Sequence, residues 1–263
     1  MSSRSTGFSE ECKAKPFQLY GNVALVTGAA TGLGAAIAVA LARQGAAIVI
    51  TDKDDLSTTF EQVREFGNGA LAVKLDVRDT EQIRECTASA LKEFKSVDIL
   101  VNNAGINRPA PGLSLREDEW DDHFSVNAKG GFFLAQRLAP GMIAQGWGRI
   151  IWISSQSGLV GIPGQPAYCA SKGAVIQLVR TLGLEWAKHG ITVNSVAPTF
   201  VETNLTRRRL QDPEFRQFVM NKIPGGMLAT AEDVAAAVVF LASHEARMVN
   251  CHTLCVDGGW TAW

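Results

Sequence analysis

Hydrophobic positions along the chain fall into two alternating patterns. Short runs rich in β-branched residues, at 23–27, 47–51, 70–75, 99–101, 149–153, 192–196 and 253–256, predict strands. Between them, apolar residues recur at helical spacing near 33–43, 55–66, 79–94, 117–144, 167–189 and 230–243. Several strand runs are apolar on both faces, which suits strands covered by helices on both sides of a sheet. This alternation predicts βαβ units and hence an α/β fold, a single doubly wound Rossmann-type domain with a seven-stranded parallel sheet. Residues 19–263 make up the expected domain and residues 1–18 a flexible tail. The stretch 199–227 breaks the rhythm with Arg207, Arg208, Arg209, Pro213 and Pro224, and predicts a helical lid inserted at the ligand side of the sheet.

Composition narrows the class. Hydrophobic residues make up 46% of the 263, enough for a large core. Against 26 acidic residues stand 25 basic ones, so no charge footprint points to nucleic acid or an anionic membrane. No apolar stretch approaches the roughly 20 residues of a membrane span. The polar start mixes Arg4 and Lys13 with Glu10 and Glu11, unlike a signal or transit peptide. Five cysteines, Cys12, Cys86, Cys169, Cys251 and Cys255, form an odd count in a chain too long to need stapling, which fits a reducing, cytoplasmic setting.

The first strand runs into Thr27-Gly28-Ala29-Ala30-Thr31-Gly32-Leu33-Gly34 and then an Ala-rich helix. Glycines allow a sharp turn and close approach of a pyrophosphate, and a helix N-terminus presents N–H groups to it. The spacing is neither the dinucleotide G-x-G-x-x-G nor a P-loop, and a tight turn without ligand is the bland alternative. Asp52 closes the second strand, 18 residues beyond Gly34, where an acid accepts hydrogen bonds from a ribose 2′-hydroxyl and repels a 2′-phosphate. That points to NAD rather than NADP, with the adjacent Lys53 pulling the other way.

Tyr168 and Lys172 stand at i and i+4 on a predicted helix and share one face. A tyrosine is a poor base at neutral pH, and bringing its pKa to about 7 takes roughly 4 kcal/mol. An ammonium about 4 Å away supplies that order of energy at an effective dielectric near 20. Most such pairs are surface neighbours, but Ser155 lies 13 residues before Tyr168 at the C-terminal end of a predicted strand, where α/β active sites collect.

With Asp76-Val77, Asn102-Asn103-Ala104-Gly105, Asn127, Ser154-Ser155, Tyr168-Cys169-Ala170-Ser171-Lys172, Asn194, Pro198 and Asp257-Gly258-Gly259 added to the glycine loop, the chain resembles a short-chain dehydrogenase/reductase from about Gly21 to Gly259. The resemblance implies a hydride exchanged between a nicotinamide cofactor and a carbonyl carbon. Ser155 and Tyr168 would bind the reacting oxygen, and Asn127 would bend its helix and hold a water relaying protons to Lys172. Lys172 would also grip the nicotinamide ribose, Asp76 and Val77 would flank the adenine, and Asn103, Ala104 and Gly105 would lie along the cofactor beside Gly28, Thr31, Gly32, Leu33 and Gly34. Pro198, Val201 and Thr203 would seat the carboxamide. Thr199 departs from the family, which places glycine after the proline. The family also implies a homotetramer built on the helices at 117–144 and 167–189 and on the C-terminal strand, with Trp260 and Trp263 either in an interface or capping the core.

Other constellations fit less well. Cys251-His252-x-x-Cys255 has no evident fourth metal ligand and reads as buried thiols. Ser155 as a hydrolase nucleophile lacks a G-x-S-x-G elbow and a stationed histidine among His123, His189, His244 and His252. The arginines 207–209 read as a solvated face, or as a guide for an anionic substrate. For the substrate, Arg108, Gln156, Ser157 and Gln165 flank the motifs and offer partners to hydroxyls or a carboxylate. The residues after Asn103-Ala104-Gly105, together with the ending Val256-Asp257-Gly258-Gly259-Trp260, resemble the NAD-linked polyol, sugar and sugar-acid dehydrogenases of the family. The alternatives are an NADPH-dependent 3-oxoacyl-carrier-protein reductase and a non-catalytic NAD-binding redox sensor.

Overall fold

The structure, a computed structural model, describes residues 16–203 and 206–262. Seven strands, β1 (Val23–Thr27), β2 (Ala47–Asp52), β3 (Ala70–Lys74), β4 (Ile99–Asn102), β5 (Gly148–Ile153), β6 (Ile191–Pro198) and β7 (Thr253–Val256), form one all-parallel sheet. Their order is β3-β2-β1-β4-β5-β6-β7, so the winding direction reverses between β1 and β4. A crevice outside the carboxyl ends of strands opens at such a reversal.

Side-chain alternation divides the apolar strands between two cores. Ala24, Val26, Ile48, Ile50, Val101 and Ile151 pack on one face with α1 (Gly32–Arg43), α2 (Ser57–Arg64) and α9 (Ala231–Ala242). Val23, Leu25, Val49, Leu100, Ile150 and Trp152 pack on the other with α3 (Thr80–Phe94), α5 (Gly130–Gln145) and α6 (Pro166–Trp186). Local chemistry sets the helix starts: Asp79 accepts from the amides of Glu81 and Gln82 to cap α3, and Thr230 and Asp233 form a capping box on α9.

The helix predicted over 117–144 is interrupted. It divides into α4 (Glu117–Phe124) and α5 around a π turn, Ser125–Lys129, centred on Asn127. A π turn costs regular hydrogen bonding and often marks a functional position. The segment 199–227 holds α7 (Arg207–Leu210) and α8 (Pro213–Asn221). Leu210, Val219, Ile223, Ile162 and Trp260 form a third, smaller apolar cluster that fastens these helices beside the C-terminal ends of the strands. Trp260 is 7% exposed and meets the rings of Phe200 and Phe218, capping this cluster; Trp263 lies outside the described residues. Residues 1–15 of the expected tail also lie outside them, whereas Phe17 packs edge-on against Phe240 and its amide donates to Glu245. Among the described residues, no helix is long and apolar enough to cross a membrane.

Candidate active site

One cleft, about 1430 Å³ with its open mouth, runs along the carboxyl edge of the sheet. Its first part is the turn from β1 into α1. Gly28 and Gly32 adopt φ of +65° and +61°, and a Cβ on Gly34 would stand 2.0 Å from the Gly28 carbonyl oxygen. Only glycine fits such a position. The Asn103 amide donates to the carbonyls of Thr27 (2.9 Å) and Gly28 (3.0 Å), and the Thr27 hydroxyl accepts from the amides of Asn103 and Ala104. Asn103 therefore fastens the glycine turn to the end of β4. Thr31 occupies the N-cap of α1 with its side chain making no capping bond, so the first-turn amides remain available to an anion. Asp52 accepts from Ala30 N (2.9 Å) and Asp54 N (3.1 Å) at the rim.

Thr31, Leu33, Asp76, Val77, Ala104, Gly105, Pro198, Val201 and Thr203, all named from sequence, line the same cleft. Lys53, Arg78, Ile106, Val126, Thr199 and Thr206 line it as well. Of these, sequence reasoning flagged only Lys53, as a neighbour of Asp52, and Thr199, as a departure from the family pattern. Arg78 forks onto Asp76 (Nε–Oδ1 3.0 Å, Nη2–Oδ2 2.6 Å) and holds that carboxyl below the ordinary carboxylate range.

At the other end, β5 delivers Ser155 and the first turns of α6 deliver Tyr168 and Lys172. Lys172 Nζ donates to the Ile153 carbonyl at 2.8 Å and stands 5.7 Å from the centre of the Tyr168 ring. Asn127 donates to Ser171 Oγ (2.9 Å), which in turn donates to the Tyr168 carbonyl. A Cβ on Gly105 would lie 3.3 Å from Asn127 Oδ1 and 3.4 Å from Lys172 Nζ, so both groups converge there. The electrostatics differ from the expectation of a tyrosine drawn down toward neutrality by its lysine. Burial pushes the phenol up to about 12, against the hydrogen bond from Ser155 that pulls it down, and pushes Lys172 down to about 8. Desolvation disfavours charge on both groups.

The expected substrate residues separate. Arg108 lines the cleft, with Nη1 held by Asp122 Oδ2 at 2.6 Å. Gln156, Ser157 and Gln165 lie behind the wall, 2%, 5% and 2% exposed. The turn 156–158 and the start of α6 draw them inward: Ser157 N bonds Ser155 Oγ, and Gln165 Oε1 accepts from Asn107. Gln156 Oε1, Gln165 Nε2, Asn107 Oδ1 and Thr199 Oγ1 are buried without partners.

The cysteine pair departs from the expectation of buried thiols. Cys255 is exposed on β7, an edge strand, and Cys251 is half-buried before that strand begins, at φ +58°. No cluster of metal-ligating side chains occurs among the described residues. Arg209 stacks 3.9 Å over Phe215, while Arg207 and Arg208 are exposed.

Known proteins resemble this arrangement. A family model described as enoyl-(acyl carrier protein) reductase matches residues 28–261. The chain is 40% identical over 247 residues to the 2-dehydro-3-deoxy-D-gluconate 5-dehydrogenase of Escherichia coli K12, spanning 94% of this chain and 98% of that protein. To a 3-oxoacyl-acyl-carrier-protein reductase of Thermotoga maritima it is 37% identical over 244 residues, spanning 92% and 98%. Among solved structures, a gluconate 5-dehydrogenase from Burkholderia cenocepacia J2315 in complex with NADP and tartrate superposes with a TM-score of 0.90 at 38% identity, over 94% of this chain and 98% of that one.

Proposed function

Because the chain belongs to the short-chain dehydrogenase/reductase family and is a nicotinamide-dependent oxidoreductase, we propose that it interconverts a secondary alcohol and a ketone of a polyol, sugar or sugar acid, using NAD. The observation that carries this reading is the meeting of Ser155, Tyr168 and Lys172 in the same cleft as the glycine turn. The turn has no room for a Cβ at Gly34, and α1 offers its first-turn amides, a cradle suited to a pyrophosphate. Asp52 at the rim supports NAD over NADP; Lys53 beside it and the NADP-bound relative support the other choice.

The cofactor supplies the hydride acceptor; the protein's side chains handle the proton. Ser155 bonds the reacting oxygen, and Tyr168 takes its proton as the carbon is oxidised or returns it on reduction. Lys172 favours the phenolate electrostatically, and Asn127 holds its surroundings and continues the relay. Arg108, which lines the cleft, supports a hydroxylated or acidic substrate over an acyl chain. The Thermotoga relative supports the second reading, reduction of 3-oxoacyl thioesters with NADPH. A non-catalytic sensor has no use for the complete proton-handling set.

The test is a panel of polyols, aldonates and 3-oxoacyl thioesters with each cofactor. Turnover of polyols or aldonates with NAD is expected, and turnover of thioesters alone with NADPH overturns the proposal. Tyr168→Phe is expected to bind NADH while losing nearly all turnover. The proposed assembly is a homotetramer, supported by Trp120 on α4 (40% exposed) and Leu184 on α6 (75% exposed), and measured by mass in solution.

A further inference from the structure

Between β4 and α4 the chain runs past Arg108 with no regular secondary structure from Asn103 to Ala110. Such a segment is held in place by side chains of its neighbours. Asn127 spans Ile106, accepting from its N–H at 2.8 Å and donating to its carbonyl at 3.1 Å. Asp122 takes the Arg108 guanidinium, and His123 Nε2 accepts from the Arg108 backbone N–H at 3.1 Å. The other ring nitrogen of His123, Nδ1, lies 2.6 Å from the Glu119 carbonyl oxygen.

These partners define the state of the ring. A carbonyl only accepts and a backbone N–H only donates, so both bonds form together in one species: a neutral imidazole with its proton on Nδ1 and its lone pair on Nε2. His123 is 0% exposed, so neither bond has water to replace it. The ring also stands edge-on to the Tyr168 ring, with centroids 6.4 Å apart and planes at 72°. One buried side chain thus touches the loop that carries Arg108 and the tyrosine proposed as acid/base. Core packing alone accounts for its burial but not for both ring nitrogens being matched to fixed backbone partners.

We propose that His123 is a positioning residue: it locks the 106–108 segment and the Tyr168 ring in one register, so that a substrate held at the cleft mouth presents its carbinol carbon to the phenol. This rests on the reading of Tyr168 as acid/base given above. It predicts an effect on substrate handling that leaves the cofactor end of the cleft untouched.

Three substitutions separate the contributions. His123→Gln keeps an acceptor near the Nε2 position, His123→Asn keeps a donor near the Nδ1 position, and His123→Phe keeps the ring alone. Hydrogen exchange at the Arg108 amide is followed by mass spectrometry, KM and kcat are measured with D-gluconate and D-threitol, and the NADH Kd by tryptophan quenching. In the Asn and Phe variants, Arg108 exchange is expected to quicken by about tenfold and KM to rise by about tenfold, with the NADH Kd within about twofold of the parent. The Gln variant is expected to restore both. Parent-like exchange and KM in the Asn variant overturn the proposal, as does a Gln variant no better than Asn, or a loss of NADH affinity that tracks KM. If the Phe variant fails to fold, the Asn–Gln contrast carries the test. If no polyol or aldonate is turned over, the substrate reading fails while the exchange measurement still decides the fate of the clamp.

Discussion

Replacing Lys172 by methionine probes the electrostatics of the cleft without relying on turnover. The lysine is 4% exposed, its ammonium donates to the Ile153 carbonyl, and burial pushes its pKa from 10.5 down to about 8. Between those values the unfolded chain keeps a proton that the folded chain has released, so the lysine's contribution to stability rises with pH across that window. At about 1.36 kcal/mol per pH unit, the gap costs the folded state about 3 kcal/mol at neutral pH. Methionine has a stem of similar length and removes that penalty, but gives up a hydrogen bond of about 1 kcal/mol. The variant is therefore expected to be about 2 kcal/mol more stable than the parent near pH 7 and, once the unfolded lysine is also neutral above about pH 10.5, about 1 kcal/mol less stable. Urea denaturation followed by tryptophan fluorescence, at one protein concentration and several pH values, reads the difference. The change of sign is the signature, accompanied by loss of turnover. A Met variant less stable than the parent by the same amount at every pH would refute the reasoning, because it would mean that the buried lysine is paid no desolvation cost.

Asp52→Asn removes the carboxylate at the rim, and the ratio of NADP to NAD affinity is expected to rise by about tenfold; an unchanged ratio in fluorescence titrations counts against Asp52 as the selector. Thr199→Val deletes a buried hydroxyl with no partner, so the ligand-free protein is expected to keep its urea midpoint or gain about 1 kcal/mol, and a loss larger than that would reveal a partner. Trp260→Ala opens a cavity beside Phe200 and Phe218, which is expected to cost about 3 kcal/mol and to hasten proteolysis between residues 206 and 227; an unchanged cleavage rate would separate this cluster from helices α7 and α8.

The sheet was legible because burial on both faces writes itself into composition. Val23 to Val26 are apolar without a break, and alternate residues serve opposite cores. The glycine turn was legible because backbone geometry demands a residue type there, as the 2.0 Å approach at Gly34 makes plain. What sequence could not convey was orientation. Gln156, Ser157 and Gln165 have the right chemistry for a substrate wall and sit close in sequence to Ser155 and Tyr168, yet the turn after β5 points them inward. Arg108 reaches the cleft, but its pairing with Asp122, 14 residues on, follows from how α4 lies against the loop. His123 reads in sequence only as a hydrolase partner, because its tautomer depends on carbonyls and amides that no sequence pattern specifies. The break at Asn127 had a signal in the family resemblance and none in helical periodicity, which runs through it unchanged.

The displaced pKa values also revise what the Tyr–Lys pair accomplishes. A phenol at about 12 is a proton donor at neutral pH, suited to protonating an alkoxide and poorly suited to deprotonating an alcohol. An ammonium at the observed 5.7 Å, taken from the ring centre, contributes about 3 kcal/mol at an effective dielectric near 20, or about 2 pH units. That alone leaves the phenol well above neutrality. A second positive charge about 4 Å away contributes about 4 kcal/mol more on the same scale. On the proposed reading, Tyr168 and Lys172 therefore suffice together for the acid role. On the same reading the base role requires charge that enters the cleft with the reactants, so burial would make alcohol oxidation conditional on a loaded site.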